Sequence, residues 1–249
     1  MILKILLCWL TLGSSFIPKS ILVSSKFKSR NKRIFSHQTR KTKETSEEFD
    51  YWSDPRIHSF GNTGLGGIFH AALTPVATFI IDHVAYDGRD IRDEVISQVP
   101  PEFTVCDFGC GTGFSTRKGS TGIDTSMEMI RFAKLFHPHN TYSYGNIEDW
   151  GNDKEFDVIF ISFVFHEMPK DAMLKAVNNA KRVAKKGVII IDIAPDYQPK
   201  EHMLMGEPYL LDYLKDAQNE LSQLGFKFET LIPGHVVKYT YSLNENIQF

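Results

Sequence analysis

Two hydrophobic periods alternate along most of the chain. Short apolar runs bounded by turn residues recur at Phe103–Phe108, Ser120–Asp124, Tyr142–Gly145, Asp157–Ser162 and Val188–Ile193. Their length and β-branched content predict strands, and the run VIIIDI, apolar on successive positions, predicts one buried on both faces. Between them, Met127–Phe136 and Asp171–Lys185 place apolar residues at helical spacing. Ser126 is the cap of the first helix, and Gly187 closes the second. Tyr209–Leu224 predicts a further helix stopping at Gly225, and Phe226–Leu231 with Val236–Ser242, joined through Pro233-Gly234, predicts a hairpin. Strands alternating with helices predict an α/β fold: a doubly wound, mostly parallel, seven-stranded sheet, covered on both faces and ending in an antiparallel hairpin.

Ahead of this domain the pattern predicts a mostly helical cap over Glu44–Gln98. Asp54-Pro55 and the Gly61–Gly67 cluster mark turns. His70–Val84 is helical, with Pro75 starting or kinking it, and Asp90–Gln98 is a shorter helix stopped by Pro100-Pro101. The predicted organisation is a leader over residues 1–45, a cap over 46–100 and the α/β domain over 101–249.

Charge changes the picture at the N-terminus. Through Lys43 the chain holds ten Lys and Arg and no acid, which leaves 18 basic residues against all 30 acidic ones beyond it, a net of −12. A body that acidic is a poor partner for nucleic acid, whose binding rests on neutralising phosphates. Met1–Phe16 has a signal-peptide layout, Lys4 within an apolar stretch followed by Gly13-Ser14-Ser15, too short for a comfortable span. Phe16–Lys43 has transit-peptide composition, rich in Ser, Lys and Arg. The tandem, with Ser15-Phe16-Ile17-Pro18 at the junction, resembles the bipartite leaders of algae with complex plastids. It implies plastid import, with ordinary secretion as the alternative, and no stable membrane span in the mature protein. Cys106 and Cys110, spaced C-x3-C without a second pair, form no zinc or disulfide framework and read as reduced residues packed beside a loop.

The chemistry centres on Val105-Cys-Asp-Phe-Gly-Cys-Gly-Thr-Gly113, a strand running into a G-x-G-x-G turn. Such a turn presents backbone N–H groups at the carboxyl edge of an open sheet, where ligands of such sheets bind. Phosphate loops and dinucleotide sites also use such glycines, so the motif alone is weak. Three further features narrow it. Asp124 ends the next strand, where a carboxylate can accept from both ribose hydroxyls of a nucleoside. Gly145-Asn146-Ile147-Glu148 ends the third, placing an amide and an apolar side chain for an adenine ring. The fourth strand leads into Phe165-His166-Glu167-Met168-Pro169.

With these motifs, the span from about Phe103 to Ile193 resembles the class I S-adenosylmethionine-dependent methyltransferases, whose fold is Rossmann-like, particularly the group with an F-H-E-x-P segment. The wider run Asp54–Arg92, with Gly206-Glu-Pro-Tyr-Leu210, is similar to a plant and algal subgroup. The resemblance implies S-adenosylmethionine as cofactor and methyl transfer, and does not name the acceptor; the largely apolar cap predicts a small or lipophilic one. It implies that Asp107 orders the glycine turn and the methionyl amino end, and that Gly109, Gly111 and Gly113 line the methionine and ribose. Asp124 would hold the ribose beside Ile123 and Thr125, Asn146 and Ile147 would meet the adenine, and Ser162 and Phe163 would face the transferred methyl. His166 and Glu167 are the candidate catalytic pair, as base or acceptor ligand. His58, His70, Asp82, His83 and the pair Tyr51-Trp52 are cap residues within possible reach, and Asp192 is expected to point into the crevice. The rival readings are an NAD(P)-dependent oxidoreductase, whose G-x-G-x-x-G fails at Phe114, and a non-catalytic binding module. Only Gly109–Ser120 connects the first strand to the second. Parallel neighbours need about a dozen residues, usually with a helix, and here a helix can occupy little more than Phe114–Lys118.

Overall fold

The computed structural model describes residues 50–244; the expected leader lies outside them. Among these residues runs one seven-stranded sheet in the order β3-β2-β1-β4-β5-β7-β6. The strands are β1 (Val105–Phe108), β2 (Thr121–Asp124), β3 (Thr141–Tyr144), β4 (Phe156–Ser162), β5 (Ala184–Ile193), β6 (Lys227–Ile232) and β7 (Val236–Ser242). β1 pairs in parallel with β2 on one side and with β4 on the other. The winding therefore reverses between β1 and β4, and a crevice opens at their carboxyl ends. β7 runs antiparallel to β5 and β6, as the hairpin pattern predicts.

Helices α1 (Gly64–Ala85), α2 (Ile91–Ile96), α3 (Met127–Phe136), α4 (Lys170–Val183), α5 (Glu201–Leu204) and α6 (Leu210–Gln223) flank the sheet. α4 shows why: Ala172, Met173, Ala176, Val177, Ala180 and Val183 recur at helical spacing and are all buried. That stripe packs onto the face of β4 and β5. The cap Ser126 behaves as its sequence position suggests, its Oγ accepting from Met129 N at 3.1 Å.

Three elements depart from the sequence expectation. α4 ends at Val183, and Gly187 lies inside β5 opposite Ser242 instead of closing a helix, because β5 begins at Ala184. α1 begins at Gly64, so part of the glycine cluster is helical and Pro75 sits in mid-helix. Gly66 is required there by close approach: a Cβ on it would stand 1.9 Å from Phe60 O, where the chain folds back over the first turn. The N-terminus of α1 is capped from outside, Gly64 N donating to Glu128 Oε1 at 3.0 Å.

The third departure is the β1–β2 crossover, which contains turns and no helix. Side chains replace the helix. Arg117 Nη1 donates to the carbonyls of Val99 and Pro100, both at 3.2 Å, and Nη2 to that of Phe103. Ser115 Oγ and Thr116 Oγ1 donate to Asp107 Oδ2 at 2.8 and 2.6 Å. Asn140 bridges the far end, donating to Thr116 O and accepting from Gly119 N at 2.7 Å.

α1 divides by face. Gly67, Ala71, Ile81 and Asp82 are buried, while Leu65 is 87% exposed and Val76 and Phe79 are more than half exposed. By length and composition this helix is apolar enough to cross a membrane, yet its inner face packs on the body and Asp82 is ion-paired with Arg92.

Candidate functional site

At the switch point lies a pocket of ≈ 200 Å³. Its floor is the glycine turn, its far wall the ends of β2 and β3, its near wall Ser162–Val164 at the end of β4, and its roof the cap. Gly109, Gly111, Asp124, Thr125, Asn146, Ile147 and Ser162 all line it, as the sequence places them. Asp124 organises the floor: Oδ2 accepts from Gly111 N and Oδ1 from Ser126 N, both at 2.8 Å. Burial pushes its pKa up to about 6, opposed by those backbone bonds. At neutral pH it is predominantly a carboxylate. Gly111 has φ +50°, and a Cβ there would meet nothing within 4 Å, so its backbone is open to a ligand.

Three named candidates are placed elsewhere. Asp107 does not line the pocket; it is fully buried and turned into the crossover, with Oδ1 unpartnered. It orders the turn from behind instead of meeting a methionyl amino group. Gly113 is also outside, and its missing side chain admits Tyr142, whose hydroxyl would lie 2.4 Å from a Cβ. His166 is buried beneath the pocket, its Nδ1 2.6 Å from Asp192 Oδ1. Burial would lower its pKa, but the Asp192 carboxylate outweighs this and holds it at about 9. Asp192 correspondingly points inward, also accepting from Phe165 N and Ile193 N, and not into the crevice.

Glu167 does reach the pocket, as part of a clasp. Its Oε1 is 2.7 Å from His58 Nε2, and the other ring nitrogen of His58 is 2.9 Å from Glu207 Oε1. An imidazole facing a carboxylate on each side has both nitrogens donating, so it is a cation. Burial opposes that charge, but Glu207 and Glu167 outweigh it and raise the His58 pKa well above normal. Burial is likewise outweighed at Glu167, where His58 brings the pKa down to about 2. Asn62 Nδ2 donates to Glu167 Oε2 at 3.3 Å and Asn62 Oδ1 accepts from His70 Nδ1 at 3.0 Å. Burial first, and the His58 charge second, push His70 down to about 3, so it is neutral.

The cap thus supplies more of the site than its sequence signalled. Tyr51, Trp52, His58, Asn62, His70 and Arg92 line the pocket, whereas Asp82 and His83 do not. Asn62, Arg92 and Glu207 carried no individual signal beyond lying in the Asp54–Arg92 and Gly206–Leu210 runs. Phe163, whose φ of 56° is costly for a non-glycine residue, stands between the two halves of the pocket.

Two features fit a nucleoside–amino-acid ligand such as S-adenosylmethionine. The Gly111 backbone lies open beside an ionised Asp124, and the buried Ser162 Oγ has no protein partner while facing the pocket. No group of three or more His, Cys, Asp or Glu suited to a metal ion exists among the described residues.

Residues 106–191 match a family model described as a methyltransferase domain. A trans-aconitate 2-methyltransferase of Rhodopseudomonas palustris (strain BisB5) is 27% identical over 157 residues, 56% of this chain and 61% of that protein. Its counterpart in Azoarcus sp. (strain BH72) is 30% identical over 129 residues, 48% of this chain and 50% of that protein. The chain spans about half to three-fifths of the length of these relatives. A solved S-adenosylmethionine-dependent methyltransferase from Thermotoga maritima, 16% identical, shares the fold with a TM-score of 0.51 over 71% of this chain and 98% of that one. The strand order, the glycine turn locked to Asp124 and the match over residues 106–191 converge: this part of the chain is similar to methyltransferase domains and has the fold of the class I S-adenosylmethionine-dependent methyltransferases.

Proposed function

We propose that the protein transfers a methyl group from S-adenosylmethionine to a small-molecule acceptor. The observation that carries this is the Gly111 N–H fixed on Asp124 at the switch point of the sheet. Gly109, Gly111, Asp124, Thr125, Asn146, Ile147 and Ser162 hold the donor. Asn146 Oδ1 already accepts from Glu148 N at 3.0 Å, and its second lone pair is left for an adenine amino group. When bound, S-adenosylmethionine supplies an electrophilic sulfonium methyl. The chain's part is to align the acceptor and exclude water. Tyr51, Trp52 and the His58 clasp roof the pocket for that purpose, and Glu167 is a positioning residue that holds the roof down. The acceptor compartment is the space bounded by α1, Arg92 and Phe163. Trans-aconitate, named for the curated relatives, is a tricarboxylate and the first acceptor to assay.

Calorimetry on the full chain tests the reading. S-adenosylmethionine is expected to bind and NAD not, and Asp124→Ala to weaken S-adenosylmethionine at least tenfold, the scale of a lost charge-assisted contact. Binding of NAD alone would instead support an oxidoreductase, and binding of neither a non-catalytic module.

We propose further that residues 1–45 direct the protein to a plastid. The acid-free basic tract behind a short apolar stretch supports this. A reporter fused behind those residues is expected inside the plastid; its secretion from the cell would overturn the proposal.

A further inference from the structure

Among the described residues, one Lys or Arg side chain lines the pocket. It is Arg92, on the wall between α1 and Phe163. Its side chain is only 14% exposed, and its guanidinium carbon lies 4.7 Å from the centroid of the Phe163 ring. Its hydrogen bonding is sparse for so enclosed a group. Nη1 donates to Asp82 Oδ1 at 3.2 Å, and Nε and Nη2 find no acceptor among the described residues. Asp82 is itself largely enclosed, and burial raises its pKa against the pull of Arg92. Withdrawing a guanidinium from water while most of its donors stay unused is costly unless something else completes the site.

We propose that Arg92 binds the carboxylate of an anionic methyl acceptor. The proposal rests on the methyl-transfer reading and names the class of acceptor. The guanidinium edge carrying Nε and Nη2 is a planar fork matched to the two oxygens of a carboxylate. Phe163, whose ring lies against the guanidinium, follows Ser162 directly in sequence, so the anion sits at the junction of the donor and acceptor halves.

The surrounding side chains point the same way. Glu167 is held near pKa 2 with both oxygens engaged, and His70 near 3. Neither takes a proton from an acceptor at neutral pH, so a protonated hydroxyl or ammonium nucleophile would find no base in this compartment. A carboxylate needs none. One of its oxygens attacks the sulfonium methyl carbon, a C–O bond forms, and the C–S bond breaks with its electron pair left on sulfur. The products are a methyl ester and a neutral thioether, and no proton moves.

The test is calorimetry on the full chain with S-adenosylhomocysteine bound, titrating benzoate, cinnamate and citrate against the corresponding neutral amides. At least one carboxylate is expected to bind tighter than its amide. Arg92→Gln is expected to weaken it at least tenfold while leaving S-adenosylhomocysteine affinity within twofold, and Arg92→Lys to restore part of the loss. Asp82→Asn, which frees the guanidinium of its partner, is expected to tighten the carboxylate. A purely structural ion pair predicts the reverse, both single variants weakening it alike. The double variant Arg92→Gln/Asp82→Asn removes both charges together, and carboxylate binding is expected to stay lost in it while the melting temperature returns toward wild type. The proposal is overturned if S-adenosylhomocysteine binds and no carboxylate outperforms its amide, or if Arg92→Gln binds carboxylate as well as wild type. Carboxylate binding that depends on Arg92 in a chain that ignores S-adenosylhomocysteine would sink the methyl-transfer reading and leave the anion site standing.

Discussion

His58 joins an unusual backbone to an unusual charge state. Its φ of 49° places a non-glycine residue in the left-handed region, at a cost of about 1–3 kcal/mol, and its ring bridges Glu167 and Glu207. The strain is held because the two carboxylates define where the ring must be. A few ångströms deeper, His166 repeats the motif on Asp192 with a pKa of about 9. A histidine raised in the folded state contributes stability in full below its unfolded pKa of about 6.5 and loses it as pH climbs through the folded value. Between pH 6.5 and 9, unfolding therefore releases a proton from His166, and stability is expected to fall by about 1.4 kcal/mol per pH unit from this group. Glu167 has the opposite sign: its contribution is present above about 4.5 and lost as pH falls toward 2. Urea unfolding across pH 6.5–9 measures the alkaline limb. It is expected to flatten in His166→Gln, and an unchanged slope in that variant would show that other groups carry it. His58, His166, Glu167 and Asp192 were visible in the sequence one by one and Glu207 only as part of a run, but the clasp pairs positions 109 apart, and no local pattern encodes such a pairing.

Among the elements, the β1–β2 crossover is the most instructive. The sequence showed that it was short; it did not show that a helix would be dispensed with altogether. What substitutes is a set of side-chain bonds to backbone, in which Arg117 alone satisfies three carbonyls. Replacing it with Ala is expected to cost about 3 kcal/mol in urea unfolding, since charge-assisted bonds to carbonyls in a partly exposed setting are each worth about 1 kcal/mol. A loss under about 0.5 kcal/mol would mean that water replaces the guanidinium without penalty. The glycines teach a related lesson. Gly66 and Gly113 were legible as special positions, but as turn and ligand residues; both are glycine because Phe60 and Tyr142 respectively occupy the space of a side chain. A one-letter code records that a Cβ is missing and not which neighbour excludes it.

For the molecule as a whole, the strands of the parallel sheet followed from periodicity, because a strand buried on both faces leaves a run of apolar residues that little else explains; their order across the sheet is read from the structure. The donor half of the pocket followed with it: Asp124 and Asn146–Ile147 sit at strand ends, where the topology alone brings them together. The acceptor half did not. Its walls come from α1, α2 and the turn around His58, elements outside the matched span of residues 106–191, and their side chains meet the sheet only through tertiary packing. His166, Asp107 and Asp192 show the same limit from inside the domain, since each lies at a strand or loop position next to the pocket and turns its side chain away from it.

The missing crossover helix also bears on the order in which the chain can assemble. Closing a loop costs an entropy that grows with the logarithm of its length, so this twelve-residue connection (Gly109–Ser120) costs about 0.6 kcal/mol less than one of twice the length. That is roughly a threefold gain in the population of chains in which β1 and β2 have met, before any helix is available to reward the encounter. The cradle for the donor is therefore a nearly local structure, cheap to reach from the unfolded chain. The roof, clasped by partners 109 positions apart, bears the greater closure entropy.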